Sequence, residues 1–199
     1  MKLEQFIQTL LGSDQVIEDS RYEVLDSIVN YLLAHKQDAK LLFVCTHNSR
    51  RSQLAQVWAA KAASHFNVSI QSFSGGTEVT AFNQNAVDAL ADAGFNIQPG
   101  EDNNPRHQIE IDQNYNLEMY SKRFDDASNP KESFCAIMTC SEADADCPFV
   151  PGADKRISLH YQDPKVSDGS GEEKRVYGER SLQIAQEMFY IFNKVSQIR

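Results

Sequence analysis

A cysteine, an arginine and a serine stand in one short segment at a spacing that suits chemistry on an oxyanion. In residues 41–52 (LLFVCTHNSRRS), Cys45 ends an apolar run, five residues intervene, and Arg51 and Ser52 follow. The apolar run indicates a buried strand, and helical periodicity begins near Ser52. A loop between a strand and a helix N-terminus can direct backbone N–H groups at a tetrahedral anion. The motif C-x5-R-S therefore predicts an anion-binding loop that carries its own nucleophile.

Each residue type in this loop has a chemical reason for its place. A thiolate is favoured at a helix N-terminus and beside arginine, so Cys45 is the predicted nucleophile. Arg51 offers a planar fork of donors to two oxygens of the ligand, and the Ser52 hydroxyl donates to the thiolate. The alternative is a buried strand-end cysteine beside two surface arginines, which the placement between strand and helix disfavours. The predicted oxyanion-binding residues are Thr46, His47, Asn48, Ser49, Arg50 and Arg51.

A second pair of cysteines lies in residues 140–148 (CSEADADCP). Cys140 follows an apolar run that indicates a buried strand, and Cys147 comes after six intervening residues. A reductase that delivers two electrons ends its cycle with an oxidised dithiol, and two cysteines joined by a polar, deformable segment suit that chemistry. Two alternatives are a zinc site, which the long gap fits poorly, and incidental thiols. The pair favours redox chemistry.

Three segments resemble one known fold family. Residues 45–58 resemble the oxyanion loop of low-molecular-weight protein tyrosine phosphatases and of the thioredoxin-coupled arsenate reductases built on the same fold. Residues 140–148 resemble the resolving-cysteine loop of those reductases. Asp163, followed by Pro164, resembles the aspartate that protonates the leaving oxygen in the family. His47 stands where members commonly have glycine, and is expected to adopt a left-handed conformation or to add positive charge.

The resemblance implies an enzyme that reduces arsenate with electrons from a thioredoxin-like partner. It implies that Cys45 attacks arsenate while Asp163 protonates the departing oxygen, and that Cys140 then attacks Cys45 and releases arsenite. Cys147 would next attack Cys140 and leave a disulfide for the reductant. The alternative is a phosphatase that uses Cys45, Arg51 and Asp163 through a phosphocysteine intermediate. A non-catalytic phosphate-binding protein is the third possibility.

The elements that must position these residues follow an alternating pattern. From residue 41 onward, apolar runs that indicate strands alternate with helical periodicity. The predicted strands cover residues 41–45, 68–73, 134–139 and 157–161, and a predicted helix over residues 86–93 ends at Gly94. This alternation predicts an α/β fold with a central parallel sheet of four strands flanked by helices. Residues 1–40 show helical periodicity and predict an N-terminal helical extension to a domain spanning 41–199. Residues 99–132 break the pattern and predict an acidic insertion, either a flap or a segment with a helix around 117–124.

Composition and charge exclude several classes of function. The net charge of -9 over 199 residues disfavours binding to nucleic acid or to an anionic membrane surface. No apolar run approaches the ~20 residues that cross a bilayer, and the N-terminus lacks the pattern of a signal peptide. Four cysteines without a secretory signal favour catalytic or redox roles over structural disulfides. A soluble, cytoplasmic enzyme is expected, and no cofactor or metal is predicted.

Overall fold

Seven strands and six helices make up the regular structure of the described residues. The computed structural model describes residues 2–12, 17–36, 38–146 and 149–198. In chain order its elements are α1 (Leu3–Gly12), α2 (Asp19–Ala34), β1 (Lys40–Cys45), α3 (Arg51–His65), β2 (Gln71–Gly76), α4 (Gln84–Ala93), β3 (Ile97–Gln98), β4 (His107–Asp112), β5 (Tyr115–Met119), β6 (Phe134–Met138), α5 (Ser141–Asp146), β7 (Ala153–Ser158) and α6 (Glu173–Ile198).

Four parallel strands form the central sheet, in the order β2-β1-β6-β7. Strand β1 lies between two neighbours, and all its residues after Lys40 are buried, as expected for a parallel sheet covered on both faces. The register pairs Cys45 with Gly76 on one side and Val44 with Met138 on the other. The carboxyl ends of β1 and β6 therefore meet at one edge of the sheet. Cys45 is the last residue of β1, and Cys140 stands two residues after the end of β6. The predicted fold class is confirmed.

The helices α1, α2, α3, α4 and α6 pack into one buried cluster on one face of this sheet, and Ala143 of α5 belongs to a second cluster on the other face. Trp58 of α3 is completely buried, and its Nε1 donates to Ser181 Oγ of α6 at 2.9 Å. Ile7 of α1 and Leu25 of α2 belong to the same buried cluster as Phe43 of β1, so the N-terminal helices pack onto the sheet domain. A boundary at residue 40 stays a prediction. No helix within the described ranges is both long and apolar enough to span a membrane.

The predicted insertion contains a small antiparallel sheet, and the expected helix around 117–124 is wrong. Strands β3, β4 and β5 pair in that order, with a two-residue turn at residues 113–114. In β5, Leu117 and Met119 are buried while Glu118 is exposed, which is the period-two pattern of a half-buried strand. The hydrophobic residues are too few for the sequence to distinguish this period from a helical one.

Two strands of the central sheet lie a few residues away from their predicted positions. We expected strands over residues 68–73 and 157–161, whereas β2 begins at Gln71 and β7 already ends at Ser158. β7 is an edge strand, and it exposes Asp154, Lys155 and Ser158 to solvent. An edge strand needs no continuous apolar run, so its sequence signal is weak. The residues after β7, which carry Asp163, are consequently irregular.

Candidate active site

The loop with the C-x5-R-S motif lies where the sequence places it, between β1 and α3. Cys45 is the last residue of β1 and is almost fully buried, and α3 begins at Arg51. The fifteen-residue helix α3 directs its N-terminal N–H groups and the positive end of its dipole at this loop. A negatively charged group beside Cys45 is therefore stabilised by the fold itself.

Each backbone carbonyl group of residues 46–50 in the loop accepts a hydrogen bond. The carbonyl acceptors and their donors are Thr46 with Glu78 N (2.8 Å), His47 with Ser121 Oγ (2.8 Å), Asn48 with Gln53 Nε2 (2.7 Å), Ser49 with Asn83 N (2.9 Å) and Arg50 with Leu54 N (2.9 Å). In a trans peptide the N–H group points opposite to the preceding carbonyl. The N–H groups of residues 47–51 therefore point away from these donors, and such an array suits an anion.

Asn48, and not His47, is the residue of the loop with a left-handed backbone, at φ 45°. The expectation of a left-handed His47 is therefore wrong, and asparagine adopts this conformation more readily than most residues. The side chain of Asn48 spans the loop. Its Oδ1 accepts from the Lys122 backbone N–H at 2.9 Å, and its Nδ2 donates to Ser52 Oγ at 2.9 Å.

These contacts determine the direction of the hydrogen bond at Cys45. Because Asn48 Oδ1 accepts from a backbone N–H, the group that faces Ser52 must be the amide NH2. Ser52 Oγ accepts that bond, so its own hydrogen is available for Cys45 Sγ, which lies 3.1 Å away. Ser52 is therefore oriented to donate to Cys45 Sγ, and its role in catalysis stays a prediction.

Arg51 brings Asp163 to the loop. The Arg51 side chain is only 7% exposed, and its Nη2 lies 2.7 Å from Asp163 Oδ2. Its Nη1 donates to the Tyr161 carbonyl at 3.2 Å and lies 3.9 Å from Glu142 Oε2. Within the described part of the chain, the buried Nε–H of Arg51 has no hydrogen-bond partner. One donor of the guanidinium fork is thus left for a ligand.

Asp163 is held by the turn that follows it. Its Oδ1 accepts from the Lys165 backbone N–H at 3.0 Å and caps a 3-10 turn, Pro164–Ser167. The proline stands at the first turn position, where its fixed φ suits the helix and its missing N–H costs nothing. The Asp-Pro pair is therefore a cap that leaves Oδ2 for Arg51. The structure places Asp163 beside the loop despite more than a hundred intervening residues.

The side chains of His47 and Arg50 contact residues outside the loop. Arg50 Nε donates to the Tyr177 hydroxyl at 2.7 Å, and its Nη2 pairs with Asp168 Oδ2 at 2.9 Å. His47 Nε2 lies 3.2 Å from Glu78 Oε2. Because both side chains have partners from other segments, His47 and Arg50 would contact an anion in the loop through their backbone N–H groups.

Cys140 lies next to the loop, at the start of α5. The Cys140 thiol is fully buried, and its Sγ lies 3.5 Å from Thr46 Oγ1 and 3.4 Å from the Ala143 backbone N. Burial raises the pKa of Cys140, while the hydrogen bonds from Thr46 and Ala143 partly oppose that shift. Cys147 and Pro148 lie outside the described residues. The structure thus brings Cys140 to the site, and the pairing of Cys140 with Cys147 stays a prediction.

Asp144 fastens α5 to β7 and to the residues that follow it. Its Oδ2 accepts from Ser158 Oγ at 2.8 Å and lies 2.8 Å from His160 Nε2. Arg156 forms an ion pair with the same carboxylate and donates to the Asp144 carbonyl at 2.5 Å. We call this cluster of Asp144, Arg156, Ser158 and His160 the α5 clamp. It holds the segment between Cys140 and Cys147 in place.

Several site contacts have no signal in the sequence. Ser121 and Lys122 follow β5 within the insertion, and they donate hydrogen bonds to His47 and Asn48, which lie 74 positions earlier in the chain. Tyr161 contributes a backbone carbonyl, which any residue type could supply. Of the described residues, no group of three or more His, Cys, Asp or Glu side chains is placed to hold a metal ion.

Sequence relatives include an arsenate reductase from Bacillus licheniformis, which is 30% identical over 140 residues, covering 70% of this chain and 84% of the relative. The chain belongs to the arsenate reductase family. An arsenate reductase from Staphylococcus aureus strain Newman is likewise 30% identical to this family member, over 150 residues that cover 75% of the chain and 94% of the relative. No family model matches the chain.

Solved structures of low-molecular-weight phosphatases share the fold of this arsenate reductase family member. A YwlE mutant from Bacillus subtilis matches with a TM-score of 0.55 at 15% identity, covering 78% of this chain and 97% of that one. A low-molecular-weight protein tyrosine phosphatase from T. tengcongensis matches with a TM-score of 0.53 at 17% identity, covering 78% and 99%. The protein is therefore an enzyme of the arsenate reductase family.

Proposed function

We propose that this enzyme reduces arsenate to arsenite with Cys45, Cys140 and Cys147, and passes the resulting disulfide to a thioredoxin-like dithiol. The observation that carries the proposal is the second buried thiol beside the loop. Cys45 and Cys140 are both free cysteines in one buried cluster, and Thr46, the neighbour of Cys45, hydrogen-bonds to Cys140. Hydrolysis of a phosphate ester has no use for the second thiol, whereas two-electron reduction needs it.

The loop and Arg51 would bind the arsenate oxyanion. The backbone N–H groups of residues 47–51 and the N-terminus of α3 supply donors, as at other helix N-termini that bind anions. The unpartnered Nε–H of Arg51 supports this role, since leaving a buried donor unsatisfied costs about 1–3 kcal/mol and an oxygen of the ligand would satisfy it. Ser52 would keep the Cys45 thiolate oriented towards the bound anion.

In the first step, the Cys45 thiolate forms a sulfur–arsenic bond, and one arsenic–oxygen bond breaks. Asp163 relays a proton from solvent to the departing oxygen, which leaves as water. The contact with Arg51 Nη2 keeps the Asp163 carboxyl group at the site. Arsenic remains in its oxidised state at this stage, so no electron has yet been transferred.

The second step transfers two electrons. The Cys140 thiolate attacks Cys45 Sγ, a Cys45–Cys140 disulfide forms, and the sulfur–arsenic bond breaks with its electron pair on arsenic, which leaves as arsenite. Cys147 then attacks Cys140, frees Cys45 and leaves a Cys140–Cys147 disulfide for an external dithiol. Free thiols of this kind persist in a reducing compartment, so we place the enzyme in the cytoplasm.

A single-turnover experiment tests the proposal. With Cys147→Ser, the first two steps survive, so we expect one arsenite per enzyme and a Cys45–Cys140 disulfide in peptide mapping. The native enzyme should end with a Cys140–Cys147 disulfide instead and turn over repeatedly when a thioredoxin-like dithiol is supplied. Cys135→Ser is the matched control, because burial in β6 raises the pKa of Cys135 to about 12 and keeps that thiol unreactive.

The second candidate function is phosphatase activity through a phosphocysteine. Cys45, Ser52, Arg51 and Asp163 suffice for it, and the fold shared with the solved phosphatase structures supports it. If Cys140 and Cys147 stay reduced after arsenate is added, and Cys140→Ser cleaves an aryl phosphate as fast as the native enzyme, the reductase proposal is wrong. The phosphatase function then takes its place.

The α5 clamp should slow formation of the terminal disulfide. While α5 is helical, Cys140 and Asp146 lie about 9 Å apart along its axis, whereas a disulfide joins Cα atoms only about 4.4–6.8 Å apart. We propose that α5 unwinds when Cys140 pairs with Cys147, because the end of the helix at Asp146 lies farther from Cys140 than a disulfide allows. Asp144→Asn weakens the clamp, and we expect the Cys140–Cys147 bond to form about 5- to 30-fold faster in single-turnover quench experiments.

Asp146→Asn is the matched control for this prediction. Asp146 belongs to the same helix but is exposed and lies outside the α5 clamp. Its substitution removes the same charge, and the rate of disulfide formation should stay close to that of the native enzyme. Equal acceleration by both substitutions would assign the effect to the charge of α5 instead of the clamp.

A further inference from the structure

A continuous set of contacts connects α2, in the N-terminal residues, with Arg51 and Asp163. We propose that Arg21 of α2 and Glu187 of α6 are positioning residues, which hold the segment of residues 160–163 in the geometry that binds the oxyanion. The inference rests on the roles proposed above for Arg51 and Asp163. It assigns a function in the reaction to α2 of the N-terminal helices.

Arg21 contacts both the segment and α6. Its Nη1 donates to the His160 carbonyl at 3.0 Å. Its Nε and Nη2 pair with the two carboxylate oxygens of Glu187 at 2.5 and 2.8 Å. Although burial disfavours the charge of Arg21, the hydrogen bonds and charge of Glu187 raise the pKa of the guanidinium above its ordinary value. Arg21 therefore stays charged and holds two different segments at once.

Tyr161 transmits this arrangement to Arg51. Its hydroxyl donates to Glu187 Oε2 at 2.7 Å, and its carbonyl accepts from Arg51 Nη1 at 3.2 Å. Burial raises the pKa of Tyr161 well above its ordinary value, so the hydroxyl keeps its proton for Glu187. The side chain of Tyr161 is thus fixed by the ion pair, while its backbone holds the guanidinium that binds the ligand.

The segment needs such support because it has no regular structure. Residues 160–163 lie after the end of β7, and the last of them, Asp163, caps the 3-10 turn that follows. On the side of the central sheet, the Tyr161 backbone N–H donates to the Thr139 carbonyl at 3.1 Å. Arg21 and Glu187 hold the segment on the opposite side, from α2 and α6. A shift of this segment would displace the Arg51 guanidinium and the Asp163 carboxylate together.

Arginine is required at position 21 for a geometric reason. Its planar fork reaches both oxygens of Glu187 and the His160 carbonyl at the same time. Lysine keeps the charge but is a point donor that does not reproduce these bonds. Glu187 is 1% exposed, so its carboxylate depends on this partner. Arg21→Lys therefore tests position with little change of charge.

The chain offers a matched control in a second ion pair between the same two helices. Asp26 of α2 pairs with Lys194 of α6 at 2.7 Å, and Tyr190 also contacts Asp26 at 2.9 Å. This pair joins α2 to α6 without contacting residues 160–163. Asp26→Asn should therefore weaken the attachment of α2 while leaving Arg51 and Asp163 in place.

The experiment measures binding of inorganic phosphate to the reduced enzyme by calorimetry, together with the kcat of arsenate reduction. We expect Arg21→Lys to weaken phosphate binding about tenfold and to lower kcat about 10- to 100-fold. Tyr161→Phe removes the bond to Glu187 while keeping the carbonyl, and should give a smaller loss of both. Asp26→Asn should change neither, although it lowers the Tm.

The outcomes separate this inference from the proposed reaction. Equal losses of phosphate affinity in Arg21→Lys and Asp26→Asn would overturn it, since α2 would then act only by docking. Unchanged phosphate affinity in Arg21→Lys and Tyr161→Phe would also overturn it. If Arg21→Lys does not fold, Tyr161→Phe decides the matter by the same measurement. Phosphate binding does not depend on arsenate reduction, so a native enzyme that releases no arsenite contradicts the proposed function alone.

Discussion

Replacing Cys45 with serine should abolish turnover of both arsenate and aryl phosphates while leaving the fold intact. A serine hydroxyl is not ionised near neutral pH and is a far weaker nucleophile than a cysteine sulfur. The serine would keep a hydrogen-bond partner in Ser52 Oγ, which lies 3.1 Å from the native sulfur. The free energy of unfolding should therefore change by only about 1 kcal/mol.

Steady-state assays with both substrates and chemical denaturation of each variant check this prediction. Cys135→Ser again serves as the control, because Cys135 is a buried free thiol on the neighbouring strand β6, away from the loop. It should retain turnover. Arsenite release by Cys45→Ser, at any rate comparable to that of the native enzyme, would exclude Cys45 as the nucleophile.

The substitution Arg51→Lys should lower kcat about 10²- to 10³-fold, the cost expected for losing a donor at a developing negative charge. Lysine supplies the charge but not the planar fork, so it cannot contact the ligand, the Tyr161 carbonyl and Asp163 together. The buried side chain of Arg51 contacts Tyr161 and Asp163 already, and its Nε–H is the donor left for the ligand. Steady-state kinetics and phosphate inhibition measure the loss.

The neighbouring Arg50 provides the comparison. Its guanidinium contacts Tyr177 and Asp168 instead of the Asp163 carboxylate that Arg51 contacts. Arg50→Lys should therefore reduce kcat far less than Arg51→Lys, because it leaves the backbone of the loop and the buried guanidinium in place. Similar losses for the two substitutions would mean that the loop presents a different arginine to the ligand.

The sequence predicts the site best where function is contained in one contiguous segment. The strand, loop and helix around Cys45 follow directly from an apolar run, a C-x5-R-S spacing and a change of period within residues 41–62. The same holds for α4, whose end at Gly94 the sequence predicts and whose C-cap has φ 104°. In these segments neighbouring residues dictate the local backbone, and tertiary contacts agree with them.

Prediction from sequence fails where a segment depends on a distant partner. Residues 117–119 have too few apolar positions to show their period, and they become a strand because β4 pairs with them. β7 lies at the edge of the sheet, so its buried pattern is incomplete. His47 was expected to carry the left-handed conformation, yet Asn48 carries it, because its side chain bonds to Lys122 and Ser52 in the folded protein.

The sequence by itself determined the α/β fold class and the position of the Cys45 loop between a strand and a helix, because each is encoded by residues close together in the chain. Only the tertiary structure decided which groups surround them. It brought Asp163 to Arg51, and it joined Arg21 to Glu187 across 166 positions. Such pairs leave no periodic or local pattern in the sequence, since their spacing reflects the path of the whole chain. Their geometry follows from the packing of α2 and α6 against the central sheet.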